Sequence, residues 1–430
     1  MITQIIGQRR RVLLFIVLSS FLLRVTLVFA LRAYHLPAEQ DHFLFAYEAG
    51  RVARSLADGH GFASPFPMPS GATALLPPGY PLLLAGVFKV FGVYTDASAA
   101  AALILNCLFA ALTSIPLFAL GAAIFNPEAG LIAAALFAVY PPSIWHSVNT
   151  IWDTSLFTLG FAVSIWAIYR AALSMAVKRW ALAGALMALC SLVNPAGLSV
   201  YAAAGVWAIL RRRELAARAI KGVTAGALTA ALVLSPWVLR NYLVFGKPVL
   251  RSGLPLELKL GNDAIWNYNH PSFSKLEFAR YLRLGEFPYM AACEKEAVRV
   301  IESDPADYGA AVGKRVFRFW SGIYAPDHLN YDQRPLWRRI GTDVLNLGPL
   351  SLALAGLAAA FRRGHSVGLF ALILAAFPAV YYFTRVCERY RFPMDPYLIL
   401  LCSFALYCGA DRLGRRRAAA RDRNAQMIGG

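Results

Sequence analysis

The feature that most constrains this chain is a series of long apolar segments. Several run for about 17 residues or more with few or no charged side chains, which is enough for a helix to cross about 30 Å of hydrocarbon. Charged residues make up 15% of the 430 residues, whereas soluble domains carry about 25%. The sequence therefore predicts an all-α protein that crosses the membrane many times, with residues 1–430 forming one membrane domain.

Ten segments are predicted to span the bilayer, and both termini then lie on the same side of it. The predicted spans are residues 12–32, 97–121, 127–145, 151–170, 180–195, 196–210, 219–239, 344–361, 366–384 and 393–411. One further apolar run, Pro78–Gly92, is about 15 residues long and is marginal for a span.

The positions of lysine and arginine decide how this marginal run is interpreted. If Pro78–Gly92 does not cross, every short basic loop, such as Arg9–Arg11 and Arg211–Arg213, falls on one side of the membrane, as the positive-inside rule requires. We therefore predict cytoplasmic termini and an interfacial or re-entrant helix at residues 78–92. Because the net charge of +18 is concentrated in these loops, it does not indicate a nucleic-acid partner.

Two large segments are then expected on the outer, periplasmic side. The first, residues 33–95, contains interfacial helices and candidate acids. The second, residues 240–343, is too long to be a structureless loop in a compact protein. Its hydrophobic pattern predicts helices at Glu277–Leu284, Tyr289–Glu302 and Ala306–Phe319.

Three acids lie next to predicted spans on this outer side. Asp41 and Glu48 follow the first span, and they share a face if one helix contains both. Asp153 opens the fourth span, where an acid is costly and marks a candidate functional site. Such a carboxylate, partly withdrawn from water, can accept a proton from a nucleophile.

Other interpretations of these acids stay open. Asp41 and Glu48 are also placed to be solvated or to pair with a nearby arginine, and Asp153 is well placed to cap its helix. Asp41, His42, His146 and Asp153 have oxygen and imidazole ligands that suit a divalent cation, although no fixed ligand spacing supports a metal site.

A group of arginines is also predicted on the outer side, against the usual charge bias. Guanidinium groups match the oxygens of a phosphate bidentately, so this group indicates binding of a lipid-linked phosphate or pyrophosphate. The alternative is snorkelling to lipid headgroups, or pairing with Glu388 and Asp395. The arginines are Arg240, Arg385, Arg389 and Arg391.

Several motifs, in this order along the chain, give it a resemblance to a known family. The chain resembles the GT-C superfamily of polyprenyl-phosphate-dependent glycosyltransferases, and more closely the bacterial branch related to protein O-mannosyltransferases and the lipid A aminoarabinose transferase. The motifs are FAYEAGRVARSLADGHGF (45–62), PPGYPLLLAGVFKVFGVY (77–94), Pro141-Pro142 with Trp152-Asp153, SPWVLRNYLVFGKPVLRSG (235–253) with LGN (260–262), and ERYRFPMDPYLILL (388–401).

The resemblance implies an inverting enzyme of the bacterial inner membrane with its active site facing the periplasm. It would move one sugar from a polyprenyl-phosphate donor to a protein, lipid or cell-envelope glycan. On the matching motif, Glu48 is the general base with Asp41 as its rival, and Asp153 is the second acid. The arginines of the RYRFP motif, Arg389 and Arg391, match the region that meets the donor phosphate.

Three other functions remain as alternatives. A transporter or flippase of a lipid-linked sugar would be expected to show inverted repeats and helices broken at mid-membrane, whereas the polar residues here cluster at the outer edge. A ligase or polymerase that transfers a whole oligosaccharide is compatible with the same pattern. A non-catalytic membrane scaffold would not need the accompanying arginines.

Overall fold

The chain folds into a bundle of helices, and one end of the bundle carries two long segments that connect helices. Strand pairing in the described part of the chain is confined to an isolated bridge between Ala63 and Ala72. The prediction of an all-α fold is confirmed. The computed structural model describes residues 2–211, 213–262, 275–322 and 336–428.

The helices of these residues are numbered in chain order. The first half contains α1 (Ile2–Ala30), α2 (Glu39–His42), α3 (Tyr47–Ala57), α4 (Gly79–Phe91), α5 (Asp96–Ile124), α6 (Pro127–Val139), α7 (Pro141–Asn149), α8 (Thr154–Ser174), α9 (Val177–Ser191) and α10 (Gly197–Arg211). The second half contains α11 (Ala216–Phe245), α12 (Leu254–Asn262), α13 (Lys275–Leu284), α14 (Glu286–Ser303), α15 (Pro305–Ser321), α16 (Leu336–Arg362), α17 (Gly368–Ala376), α18 (Ala379–Phe383), α19 (Glu388–Arg391) and α20 (Asp395–Ile428).

Six of the described helices are long and apolar enough to cross a membrane, and α6 with α7 makes a seventh if a pair bent by 46° counts as one span. Helices α9, α10 and α17 are shorter than a full span requires. The multi-pass character is therefore confirmed, and the number of ten spans stays a prediction. The six long helices are α1, α5, α8, α11, α16 and α20.

Helix α4 occupies the marginal apolar run. Its 13 residues cover only about 20 Å, which is less than the hydrocarbon thickness. It packs against α3 and α5, and the Gly79 N–H donates a hydrogen bond to Leu192 O beyond the end of α9 (2.7 Å). Tyr80 and Phe88 are buried while Val90 is exposed. This short helix, buried on one face, fits the prediction that residues 78–92 do not cross.

The predicted span 127–145 is broken rather than straight. Helix α6 ends before Tyr140, and α7 begins at Pro141, because a proline ring excludes the carbonyl of the preceding turn. The buried side chain of Arg24, on α1, donates hydrogen bonds to Ala138 O (2.7 Å) and Ser143 Oγ (3.0 Å) across the break. The arginine thus satisfies a carbonyl that the break leaves without a helical partner.

Helices α9 and α11 come into close backbone contact through two glycines. A Cβ atom added to Gly184 would lie 2.0 Å from Gly226 O, and one added to Gly226 would lie 1.9 Å from the Tyr201 hydroxyl oxygen. Only glycine permits this approach. Gly222 and Gly226 stand four residues apart, which is the small-residue spacing that brings membrane helices together.

One end of the bundle carries two connecting segments, one between α1 and α5 and one between α11 and α16. We call this end the loop face. The buried carboxylate of Glu286 joins these two segments. It accepts hydrogen bonds from Thr73 Oγ1 (2.6 Å), the Ala74 N–H (2.7 Å), Ser252 Oγ (2.6 Å) and the Tyr281 hydroxyl (2.9 Å). A buried carboxylate is stable in the fold when several donors satisfy it in this way.

The three helices expected in the second segment are present as α13, α14 and α15, with boundaries that differ from the predicted ones by three residues or fewer at each end. Asp304 caps α15 by accepting a hydrogen bond from the Asp307 N–H, and Pro305 occupies its first position. Parts of this segment, residues 263–274 and 323–335, lie outside the described residues.

Candidate active site

Asp41 lies in a clamp formed by two arginines of α3. Its carboxylate accepts hydrogen bonds from Arg51 Nε (3.1 Å) and from both terminal nitrogens of Arg54 (2.8 and 3.1 Å). Gln40 and Asp41 have left-handed backbone angles, with φ of 53° and 55°, so α2 and α3 are separate. The condition under which Asp41 and Glu48 share a helix face is therefore not met, because this left-handed turn interrupts the helix.

Glu48 lies in the first turn of α3 and is partly buried. No hydrogen bond or ion pair joins its carboxylate to another described side chain. Its neighbour Tyr47 packs against Trp152, with ring centroids 5.4 Å apart. Burial raises the pKa of Tyr47, and the Glu48 charge acts in the same direction, while the positive charge of Arg389 opposes it. The charges of Glu48 and of Arg389, the first arginine of the RYRFP motif, thus both act on Tyr47.

Arg389 is surrounded by aromatic rings. Its guanidinium carbon lies 5.1 Å from the ring centre of Trp152, 5.4 Å from that of Tyr390 and 5.9 Å from that of Tyr47. No carboxylate among the described side chains forms an ion pair with it. The rings stabilise the cation from the side, and the absence of a direct ion pair in the described structure leaves its hydrogen-bond donors available to an anion.

Asp153 stands immediately before α8, at the same place. It occupies the N-cap position, but its side chain makes no capping hydrogen bond, so capping does not account for the carboxylate. Burial raises the pKa of Asp153, and the positive charges of Arg389 and Arg251 act in the opposite direction. The carboxyl group therefore faces two guanidinium groups without a direct ion pair to either in the described structure.

Arg385 and Arg251 form a second part of this cluster around Glu257. Arg385 Nε lies 3.2 Å from one oxygen of Glu257, and Arg251 Nη2 lies 3.9 Å from the other. Glu257 belongs to α12, so the segment after α11 contributes both an acid and an arginine to the site. Tyr390 lies between the two parts, since both Arg385 and Arg389 act on its pKa.

Arg391 and Arg240, the other two predicted phosphate ligands, have protein partners of their own. Arg391 is buried, and its Nε lies 3.2 Å from Asp395 Oδ1. Arg240 donates hydrogen bonds to Thr73 O (2.7 Å) and Phe62 O (3.0 Å), and it shares no contact residue with Arg389. Their predicted roles stay predictions. Of the four predicted phosphate ligands, Arg389 is the one whose charge acts on Asp153.

The two histidines considered as metal ligands lie apart. His42 stacks on Tyr94 with ring centroids 4.1 Å apart, and His146 packs against Phe392 at 5.0 Å and Trp152 at 6.0 Å. Within the described ranges, no group of three or more histidine, cysteine, aspartate or glutamate side chains is arranged to hold a metal ion.

Sequence reasoning named Trp152 only as part of its motif with Asp153, and it did not single out Tyr47, Arg251 or Glu257. Each stands next to a residue that was noted or inside a motif that was noted. An aromatic side chain beside an acid, however, does not by itself indicate a functional site. Arg251 is preceded in its motif by Arg240, which emerges directly from a span and therefore drew attention first.

The fold and the site together define a class of protein: a multi-pass helical membrane protein with acids and arginines gathered at one face. Residues 76–239 match the family model described as dolichyl-phosphate-mannose-protein mannosyltransferase. This match covers 164 of the 430 residues, and for that part of the chain it supports the resemblance to the GT-C glycosyltransferases. The chain's position in a bacterial branch stays a prediction.

The solved structures with a similar fold include oligosaccharyltransferases from Archaeoglobus fulgidus. The archaeal enzyme AglB in complex with an inhibitory peptide and a dolichol-phosphate gives a TM-score of 0.55 at 14% identity, over 94% of this chain and 52% of that one. A complex of the A. fulgidus oligosaccharyltransferase with Zn and sulfate gives 0.51 at 16% identity, over 94% and 50%. The same enzyme tethered to an acceptor peptide gives 0.52 at 16% identity, again over 94% and 50%.

This chain spans about half the length of those enzymes. A comparison with curated protein sequences gives no significant match. At these identities the likeness shows the fold, and the activity has to be argued from the site.

Proposed function

We propose that the protein is an inverting glycosyltransferase that moves a sugar from a polyprenyl-phosphate donor to an acceptor at the loop face. One observation carries the proposal. Glu48, which has no bonded partner in the described structure, is next in sequence to Tyr47, and the Tyr47 ring contacts Arg389, a cation without a described ion-pair partner. Transfer from a phosphate ester requires a base that is available to accept a proton and a cation that is available to bind the phosphate.

The donor phosphate binds at Arg389, with Arg385 as its neighbour. As the bond between the anomeric carbon and the phosphate oxygen breaks, the electron pair leaves with the phosphate. A guanidinium group that is already fixed between aromatic rings stabilises this developing charge without reorganising. The complex of AglB with dolichol-phosphate supports a lipid phosphate as the donor class for this fold.

The acceptor nucleophile attacks the anomeric carbon from the face opposite to the phosphate, which inverts its configuration. Glu48 takes the proton as the new bond forms, so the enzyme returns to its starting charge once that proton passes to solvent. Asp41 is the weaker candidate for this role because two arginines already bind its carboxylate. Asp153, with a raised pKa, is placed to orient the acceptor by hydrogen bonding.

The decisive experiment uses the purified full-length protein with radiolabelled polyprenyl-phosphate sugars and a membrane extract as the source of acceptors. We expect release of polyprenyl phosphate and labelling of an acceptor. Glu48→Gln should lower the rate by about 10²–10⁴-fold, the usual contribution of a general base, without changing the thermal midpoint.

Two further variants serve as comparisons for Glu48→Gln. Glu39→Gln removes an exposed carboxylate nearby and should leave transfer at the wild-type rate. Asp41→Asn should disturb the arginine clamp but retain most of the activity. Full activity in Glu48→Gln, or loss of activity in Asp41→Asn alone, would reject Glu48 as the base. Movement of the intact donor across vesicles without release of polyprenyl phosphate would indicate a flippase instead.

A further inference from the structure

A cavity of about 650 Å³ opens at the loop face between α3 and the chain that follows it. One wall is the side of α3 that carries Arg51 and Ser55. The other wall is a hairpin closed by hydrogen bonds from the Ser64 N–H to Gly71 O (2.9 Å) and from the Thr73 N–H to Phe62 O (3.2 Å). Both walls are fixed by the protein's own hydrogen bonds, so the cavity is preformed.

The cavity carries an excess of positive charge. Three arginines line it, and among the described lining residues Asp58 is the one carboxylate. Arg51 and Arg54 share the single carboxylate of Asp41. These five side chains together leave one positive charge.

Arg240 has no direct ion-pair partner among the described side chains, and the Glu286 carboxylate acts on its charge from a longer distance. Its guanidinium group donates to two backbone carbonyls and to Asn241 Oδ1 (2.9 Å), all neutral acceptors, and no described carboxylate forms an ion pair with it. The rings of Phe62, Trp237 and Phe245 lie within 5.5 Å of its guanidinium carbon. Hydrogen bonds to neutral oxygens hold the guanidinium group in place without neutralising its charge. The positive charge therefore remains able to attract an anion.

The cavity is within reach of the proposed base. Glu48, Arg51 and Ser55 occupy positions i, i+3 and i+7 of α3, which place them on one side of the helix. The rise of about 1.5 Å per residue puts Ser55 about 10 Å beyond Glu48 along the axis. A molecule whose nucleophile is at Glu48 therefore extends naturally into this cavity.

We propose that this cavity is an acceptor subsite that binds an anionic group, a phosphate or a carboxylate, about 5–15 Å from the acceptor nucleophile. The proposal rests on the proposed function, and it assigns Arg240 to the acceptor rather than to the donor. The donor phosphate is bound separately, at Arg389, whose contacts share no residue with those of Arg240.

The test compares a matched pair of acceptors, dodecyl glucoside and dodecyl glucoside 6-phosphate, with the full-length protein and the donor found in the transfer assay. The readout is the ratio of kcat/KM for the phosphorylated over the neutral acceptor. We expect this ratio to exceed one in the wild type and to fall with rising salt, because screening weakens the attraction. Inorganic phosphate should compete with the phosphorylated acceptor only, which distinguishes the shared anion chemistry from binding of the alkyl chain.

Two variants at Met68 change the charge of the cavity without removing a hydrogen bond. Met68 lines the cavity and is 58% exposed, so Met68→Glu and Met68→Lys differ only in the charge at its mouth. We expect Met68→Glu to lower the ratio about tenfold and Met68→Lys to raise it. Arg240→Gln should lower it as well. Val300→Glu adds the same charge on the exposed surface of α14 and should leave the ratio unchanged.

Each outcome decides a different question. A wild-type ratio of one, or a ratio that neither Met68→Glu nor Arg240→Gln changes, overturns the subsite while leaving the transferase intact. Absence of transfer from every donor to either acceptor overturns the proposed function and this subsite with it.

Discussion

Arg389 and Arg391 stand two positions apart, yet they have opposite surroundings. Arg389 lies among aromatic rings with no described carboxylate partner, whereas Arg391 is buried beside Asp395 and donates a hydrogen bond to Trp320 O (3.1 Å). These surroundings indicate different roles for the two arginines. Arg389 is available to bind a substrate, and Arg391 stabilises the fold.

This difference predicts how two identical substitutions behave. Arg389→Gln should raise KM for the lipid-linked donor by about tenfold or more and leave the thermal midpoint near that of the wild type. Arg391→Gln should instead destabilise the protein by about 3–5 kcal/mol, because it leaves the buried Asp395 carboxylate unpaired. Donor kinetics and thermal unfolding in detergent check both variants, and a donor KM that rises only in Arg391→Gln would contradict the assignment.

The helices of the loop face are joined by a compact group of charges. Glu296 on α14 lies 2.8 Å from Lys259 Nζ on α12 and accepts a hydrogen bond from Arg280 Nη2 on α13 (2.5 Å). The hydrogen bond from Arg280 is the main reason why the pKa of Glu296 falls to about 2, and Lys259 adds to the effect. One carboxylate thus links three helices that support the site from outside the bundle.

This link predicts acid sensitivity of the loop face. A carboxylate whose folded pKa lies below its unfolded value contributes stability above the unfolded pKa, here 4.5, and loses it as the pH falls through about 2. The wild type should therefore lose stability across this window, measured by thermal unfolding or by limited proteolysis. Glu296→Gln should be less stable at pH 7, with the difference disappearing near pH 2.

The control for this prediction is Glu302→Gln, which removes an exposed carboxylate from the same helix. It should follow the wild-type pH dependence. An equal loss of stability between pH 4.5 and pH 2 in wild type and Glu296→Gln would show that this carboxylate does not link the helices.

At the scale of the whole molecule, the charges divide between the two ends of the bundle. The end opposite the loop face carries Arg9, which pairs with Glu128 (2.6 Å), and Arg363, which lies 3.6 Å from Asp411. The positive-inside rule predicts that this basic end is cytoplasmic and that the loop face lies on the outer side.

This orientation is testable on intact cells. In a Cys387→Ser background, whose other native cysteines are buried, Ser303→Cys at the loop face and Ser174→Cys at the opposite end introduce single exposed thiols. A membrane-impermeant maleimide should label Ser303→Cys from outside and label Ser174→Cys only after the membrane is opened. The reverse pattern would invert the topology and place the site in the cytoplasm.

Much of the helical framework followed from hydrophobic length and from local signals. The sequence predicted the long helices and the helices of the loop face. It missed the break at Tyr140–Pro141, because an apolar run around a proline pair has the same length whether the helix bends or stops. The hydrogen bonds from Arg24 that satisfy the break come from a helix more than a hundred residues away.

The sequence by itself determined which side chains are available to the site, since acids and arginines are rare in an apolar chain and each one next to a span is conspicuous. Only the tertiary structure decided which of them remain free. Asp41 and Arg391 are neutralised by partners, while Glu48 and Arg389 have no described ion-pair partner. The physical reason is that ion pairing depends on distances of about 4 Å or less, and those distances are set by turns and helix contacts that no local pattern encodes.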